Sequence, residues 1–187
     1  TRLATLLAEE VHIADVERAL QKDAVAKGMQ ILTSKLPAIQ HQWHFGGLYF
    51  ASPEKLDPKV PFVDKRVRQA MNMAINRKAI ADKLLGSRVQ PLRVMGYHPT
   101  LDSKLWPGVW NPDWDGRFDE LYAYNPKKAK ALLEEAGATG LEFTIYLYTL
   151  PGLPEQVDIG QALALDFEAV GLRPKMVEID YSRVREL

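Results

Sequence analysis

His41 and His44 stand three residues apart, and two imidazoles at that spacing can share a metal when the backbone is helical. The run around them, Ile39 to Phe50, is rich in aromatic residues and broken by Gly46-Gly47. It reads as a long strand with a bulge at the glycines, and on a strand these two histidines face opposite sides. A structural or surface role is therefore expected for both, and no metal site. Asp113 and Asp115 flank Trp114 beside Asn111, which would suit a loop calcium site. The glycine-and-glutamate pattern of a known calcium loop is missing, so a solvated turn is expected. Glu9-Glu10 and Glu134-Glu135 are adjacent pairs on helical patterns. Neighbours on a helix diverge, so neither pair can flank one bond as acid and base. Ser34, Ser52, Ser87, Ser103 and Ser182 lack the Gly-x-Ser-x-Gly turn of a hydrolase nucleophile. No glycine loop is built to cradle a phosphate. The absence of cysteine removes thiolate zinc sites, iron–sulfur clusters and cysteine nucleophiles. No catalytic residue, resident cofactor or metal is expected, and the chain is not expected to be an enzyme.

Aromatic residues offer binding chemistry instead. Trp106, Trp110 and Trp114 recur at intervals of four, but Pro107 and Pro112 argue against a helical stripe. They either pin a long loop onto its own domain or form the rim of a ligand cleft, and Trp106 and Trp110 are candidate contacts on the second view. Tyr148, Thr149 and Gly152 follow a strand pattern at its carboxyl end, where α/β sheets usually bind ligands. Phe45, beside the paired glycines, is a weaker candidate of the same kind.

The elements that must position these residues follow from periodicity. The 187 residues suffice for one domain with a real core, and a single domain over 1–187 is expected. Twenty-four basic residues balance twenty-four acidic ones, so no net field favours nucleic acid or an anionic membrane. No apolar stretch approaches the roughly 20 residues that span a bilayer. The chain opens on Thr1-Arg2-Leu3-Ala4-Thr5-Leu6-Leu7, already inside a helical pattern, and is read as a piece of a longer protein. Val11 to Ala14 and Met29 to Leu32 read as strands. Between them Asp15 is a candidate cap for a helix carrying Val16, Ala19, Leu20 and Ala24, stopped by Gly28.

After a proline-rich loop, Asp64 caps a helix with Val67, Ala70, Met71, Ala74 and Ile75 on one face. Asn76 caps the next, with Ile80, Leu84 and Leu85 inward and Gly86 as its stop. From Ser87 to Tyr124 the period is lost, and a long loop is expected. Asn125-Pro126 opens a helix with Ala129, Leu132, Leu133 and Ala136 inward and Gly137 at its end. Leu141, Phe143, Ile145 and Leu147 alternate with polar neighbours, a strand with one buried face. A tight loop, Thr149 to Pro154, leads to a helix from Glu155 to Val170 with Ile159, Leu163, Phe167 and Val170 inward. Gly171 ends it, and Lys175 to Ile179 is a last strand. Helix, strand, helix, strand in this order favours an α/β layer with partly parallel pairing.

Three of these segments together resemble the oligopeptide- and dipeptide-binding proteins of ABC importers, the family 5 extracellular solute-binding proteins. The first is Pro61-Phe62-Val63-Asp64-Lys65-Arg66-Val67-Arg68-Gln69-Ala70-Met71-Asn72-Met73-Ala74-Ile75-Asn76-Arg77-Lys78-Ala79-Ile80. The second is Tyr124-Asn125-Pro126-Lys127-Lys128-Ala129-Lys130-Ala131-Leu132-Leu133-Glu134-Glu135-Ala136-Gly137. The third is the strand Leu141–Tyr148 with the helix Glu155–Val170 and Gly171-Leu172. Thr1 to Ala14 also looks like the helix and strand that open the family's second lobe.

The resemblance implies an α/β lobe of a type II periplasmic-binding-protein-like fold, a mixed sheet flanked by helices. It implies a carrier, periplasmic or extracellular and lipid-anchored in some parents. Such a carrier is a monomer that closes on a peptide or similar solute and delivers it to a membrane permease, with no nucleic-acid partner. A non-peptide carrier for an oligosaccharide or metal chelate, and a sensor domain reusing the fold, are the alternatives. Dipeptide carriers hold the ligand carboxylate with an arginine in the loop after the Leu141–Tyr148 strand. Here Thr149-Leu150-Pro151-Gly152-Leu153-Pro154-Glu155 holds no basic residue. The family's aspartate for the ligand ammonium lies after the last strand, beyond Tyr181-Ser182-Arg183-Val184-Arg185-Glu186-Leu187.

Overall fold

Asp64 starts the best-packed helix of the molecule. Its side chain accepts the Arg66 backbone N–H at 2.7 Å, satisfying one of the donors that every helix start leaves open. The computed structural model describes residues 2–32, 41–46, 54, 57–86, 89, 113–150 and 153–186. Within it α1 is Arg2–Leu7, α2 Arg18–Ala26, α3 Lys65–Ala74, α4 Arg77–Ile80, α5 Asp113–Tyr122, α6 Pro126–Glu135 and α7 Gln156–Ala169. The strands are β1, Glu142–Leu147, and β2, Arg173–Glu178. A π turn, Ala81–Leu85, extends α4, and 3-10 turns lie at Pro61–Val63 and Tyr181–Glu186.

β1 and β2 pair in parallel, with Glu142 opposite Arg173 and Leu147 opposite Glu178. A parallel pair needs a crossover, and α7 supplies it. The fold class is α/β, as the periodicity predicts. Ile145 and Leu147 turn inward to meet α7, while Glu142, Thr144 and Tyr146 face out. Gly171 sits at φ +92°, the left-handed region that lets α7 end and β2 begin without a turn of extra residues.

The core lies where α3, α6, α7 and the sheet meet. Val67, Ala70, Met71, Met73 and Ala74 of α3, Ala129 and Leu133 of α6, and Ala164 and Phe167 of α7 are all buried. Each fully buried large side chain contributes about 1.5–3 kcal/mol relative to exposure. Polar bonds fix the register of the helices. Asn125 caps α6 through the Lys128 N–H, and its own N–H donates to the Met73 carbonyl at 2.8 Å, tying α6 to α3. Asn76 caps α4 through the Ala79 N–H and donates its backbone N–H to Asp166 of α7. Arg66 and Arg68 diverge, as their spacing predicts. Arg66 grips Asp64 and the Glu135 carbonyl, and Arg68 donates to the Phe62 and Val63 carbonyls.

Four expectations need correction. Val11–Ala14 and Met29–Leu32 are not strands, since among the described residues neither lies in a hydrogen-bonded ladder. A β-branched run becomes a strand only where a neighbour accepts its backbone bonds. Asp15 does not cap α2: Glu17 stands at the N-cap with no side-chain bond, and Asp15 pairs with Arg2 at 3.1 Å. Residues 41–46 of the expected bulged strand belong to no ladder among the described strands, and His41, Trp43 and Phe45 are less exposed than Gln42 and His44. The two histidines thus do face opposite sides. Lastly, the long loop contains α5. Phe118, Leu121 and Tyr122 hold helical spacing there, and Pro112 stands just before the first turn, where a missing N–H breaks nothing. The rest of Ser87–Tyr124, with Trp106 and Trp110, lies outside the described residues, as do Gly152, residues 39–40 and residues 47–50.

Candidate functional site

Parallel pairing puts the carboxyl ends of both strands at one edge. Tyr148 and Thr149 follow β1 there, and Ile179, Asp180 and Tyr181 follow β2. The ladder runs on past both strands through the Ile179 N–H to the Leu147 carbonyl at 2.8 Å. That bond brings the next side chains together: the rings of Tyr148 and Tyr181 lie 5.2 Å apart at 47°. Tyr181 is half exposed, Tyr148 is partly buried, and Thr149 is exposed. Asp180 accepts the Ser182 N–H and hydroxyl, bonds that hold its carboxyl below the usual range and fix the turn carrying Tyr181. The loop between β1 and α7 closes on itself through the Leu153 N–H to the Leu150 carbonyl at 2.9 Å.

Phe45 sits in a different place. Its ring packs on Trp43 at 6.0 Å and Phe62 at 5.2 Å, and Phe62 meets Phe143 near the amino end of β1. Trp43 and Phe167 complete this cluster, with centroids 5.5 Å apart. Tyr148 is therefore brought together with Tyr181, Thr149 follows it in the chain, and Phe45 is grouped with core aromatics. Sequence reasoning had no reason to add Tyr181, although it is the first aromatic residue after the last strand.

Below the loop lies a charged cluster that periodicity could not show. Glu155 is 8% exposed, the buried charged residue among those described. Arg18, at the start of α2, donates its Nε–H to Glu155 Oε1 at 2.7 Å and a second N–H to the Leu85 carbonyl at 3.2 Å. His41 Nε2 stands 4.0 Å from the same carboxylate oxygen. Burial holds the His41 pKa below the ordinary imidazole value; the Glu155 charge opposes this and the Arg18 charge adds to it.

A group with a depressed basic pKa contributes stability that is complete above its unfolded value of about 6.5 and is lost as pH falls toward the folded value. Thermal unfolding should therefore show stability declining between pH 7 and 5, and His41→Gln should remove that part of the decline. An unchanged pH profile in the variant would refute the assignment.

Among the described residues no group of three metal-ligating side chains is close enough to hold an ion, and no helix is long and apolar enough to cross a membrane. The site offers aromatic surface, hydroxyls and backbone groups on a parallel sheet edge.

The chain belongs to the bacterial extracellular solute-binding proteins, family 5, whose middle-region profile matches residues 1–186. It is 30% identical over 131 residues to the dipeptide-binding protein of Escherichia coli, covering 66% of this chain and 21% of that protein. It is 27% identical over 133 residues to heme-binding protein A of Haemophilus influenzae, covering 68% and 22%. Among solved structures it is similar to HbpA2 of Haemophilus parasuis, with 28% identity, a TM-score of 0.46, and 70% and 24% coverage. The chain spans about a fifth of the length of the curated relatives it matches. Both relatives carry the names of binding proteins.

Proposed function

We propose that this chain is a single ligand-binding lobe of the substrate-binding component of an ABC importer. The parent works outside the cytoplasm, as a monomer, and closes around a peptide or similar small solute before delivering it to a membrane permease. The observation that carries this reading is the pair of half-buried Tyr148 and exposed Tyr181 at the carboxyl edge of the parallel strands, in a chain of family 5. In this reading Tyr148 and Thr149 contact the solute and Gly152 lets it approach the loop backbone. Trp106 and Trp110 form the rim, and Phe45 supports the wall from within.

A non-peptide solute is the second reading. It is favoured by similarity to a heme-binding protein about as close as that to a dipeptide-binding protein. The loop from Thr149 to Glu155 also carries no basic residue to meet a peptide carboxylate.

Mass spectrometry of the solute that co-purifies with the intact gene product decides between these readings. In calorimetric titration with that solute, the intact protein should bind at micromolar affinity or better, and Tyr148→Ala should weaken binding about tenfold, the scale of one aromatic contact. The isolated 187-residue chain supplies one wall only and should bind no peptide at that affinity. Micromolar binding by the isolated chain would overturn the two-walled reading.

A further inference from the structure

Glu155 is placed where an ordinary helix start would use a capping side chain, yet its carboxylate makes no bond to the N–H groups of α7. It turns away to meet Arg18, 137 positions distant in sequence. A buried carboxylate is costly to desolvate, and an apolar residue of similar volume generally folds as well or better. Its presence therefore points to a task other than stability. The bonds around it show which task. The loop from Thr149 to Pro154 is held at its amino end by the sheet ladder. At its carboxyl end the Gln156 N–H donates to Leu153 and the Ile159 N–H to the Glu155 carbonyl. Side-chain anchorage of that end comes through Glu155 to Arg18, whose other N–H grips Leu85 at the close of the π turn. One guanidinium thus joins α2, the π turn and the loop, and His41 closes the third side of the carboxylate.

We propose that Glu155 and Arg18 are positioning residues: their ion pair is a strut that fixes the loop's carboxyl end, Leu153 and Pro154, against α2, holding the solute-facing edge in shape. This rests on the reading that the carboxyl edge faces the solute, but the strut itself can be tested without any solute.

The test is hydrogen exchange on the intact, ligand-free protein, read as protection factors at each amide. Glu155→Gln keeps the volume and removes the charge. Arg18 is partly exposed, so the expected loss is discounted to about tenfold at Leu153, Gln156 and Ile159. Protection at the core amides of Met71 and Leu133 should not change. Arg18→Gln should give the same local loss, and the double variant no more than either single one, because both remove one interaction. Arg18→Lys keeps a cation within reach of Glu155 and should recover part of the protection. Unchanged loop protection, a uniform loss through the core, or additive losses would each overturn the strut. If the local loss is found but solute titration fails, the strut stands and the ligand reading falls.

Discussion

Phe167→Ala should lower the stability of the folded chain by about 3–5 kcal/mol, the range for deleting a fully buried aromatic side chain. Phe167 has no exposed surface. Its ring meets Trp43 at 5.5 Å and Phe143 at 5.7 Å, so it joins α7 both to β1 and to the 41–46 segment. Two effects add on truncation: lost transfer of the ring from water, and a cavity that neighbours on two separate segments cannot both move to fill. Urea unfolding is the measurement, with an unchanged m-value showing that the same surface is exposed in both proteins. Phe167→Leu, which keeps most of the volume, should cost less than half as much. A loss below about 1 kcal/mol for the alanine variant would mean that the ring is not at the centre of the core.

Gly160→Val is expected to be the next most damaging change, costing about 2–3 kcal/mol. Gly160 is buried in the second turn of α7, and a Cβ there would lie 2.3 Å from Leu147 Cδ2. The φ of this glycine is not in the left-handed region, so close approach of helix to strand is its reason for being glycine. Leu147 is itself buried, so its methyl groups have little free space to move into. Alanine would regain up to about 1 kcal/mol in helix propensity and so should be milder than valine. The decisive comparison is the pair of substitutions. Leu147→Ala opens the space that the valine needs, so the double variant should be more stable than the sum of the two single losses predicts. Strict additivity would show that the two side chains do not compete for one volume.

These two sites also mark what could be read from the chain alone. Phe167 belongs to the row Ile159, Leu163, Phe167 and Val170, and a three–four spacing assigns such a row to the buried face of a helix whatever it packs against. The same holds for α3 and α6, and for the alternation in β1. Asp64, Asn76 and Asn125 were legible as caps because capping is a bond between residues two or three apart. Gly160 was not legible. Its neighbour Leu147 lies on another element, and nothing in the spacing of α7 announces that a strand passes there.

Legibility failed wherever a feature needs a distant partner. Val11 to Ala14 has the composition of a strand, but strand formation depends on a second chain segment offering N–H and carbonyl groups at the right distance. Asp15 has the residue type of a cap, and Arg2 takes it instead. α5 was hidden by the prolines before it, which end a helix from within but are harmless just ahead of its first turn.

At the candidate site, local order again set the limit. The position of Tyr148 and Thr149 at a strand's carboxyl end followed from alternation and the loop after it. That Tyr181 stands against Tyr148 depends on β2 pairing in parallel with β1, which the sequence could only favour through its helix–strand order.

By itself, then, the order of residues determined the helices, their caps and inward faces, the α/β class and the family, because each of these is written in contacts within a few residues or in motifs along the chain. Only the tertiary structure decided that Tyr148 and Tyr181 form one surface, that Phe45 packs among core rings, and that Arg18 reaches Glu155. Those are contacts between segments up to 137 positions apart. Their geometry depends on how helices and strands pack, which no local spacing encodes.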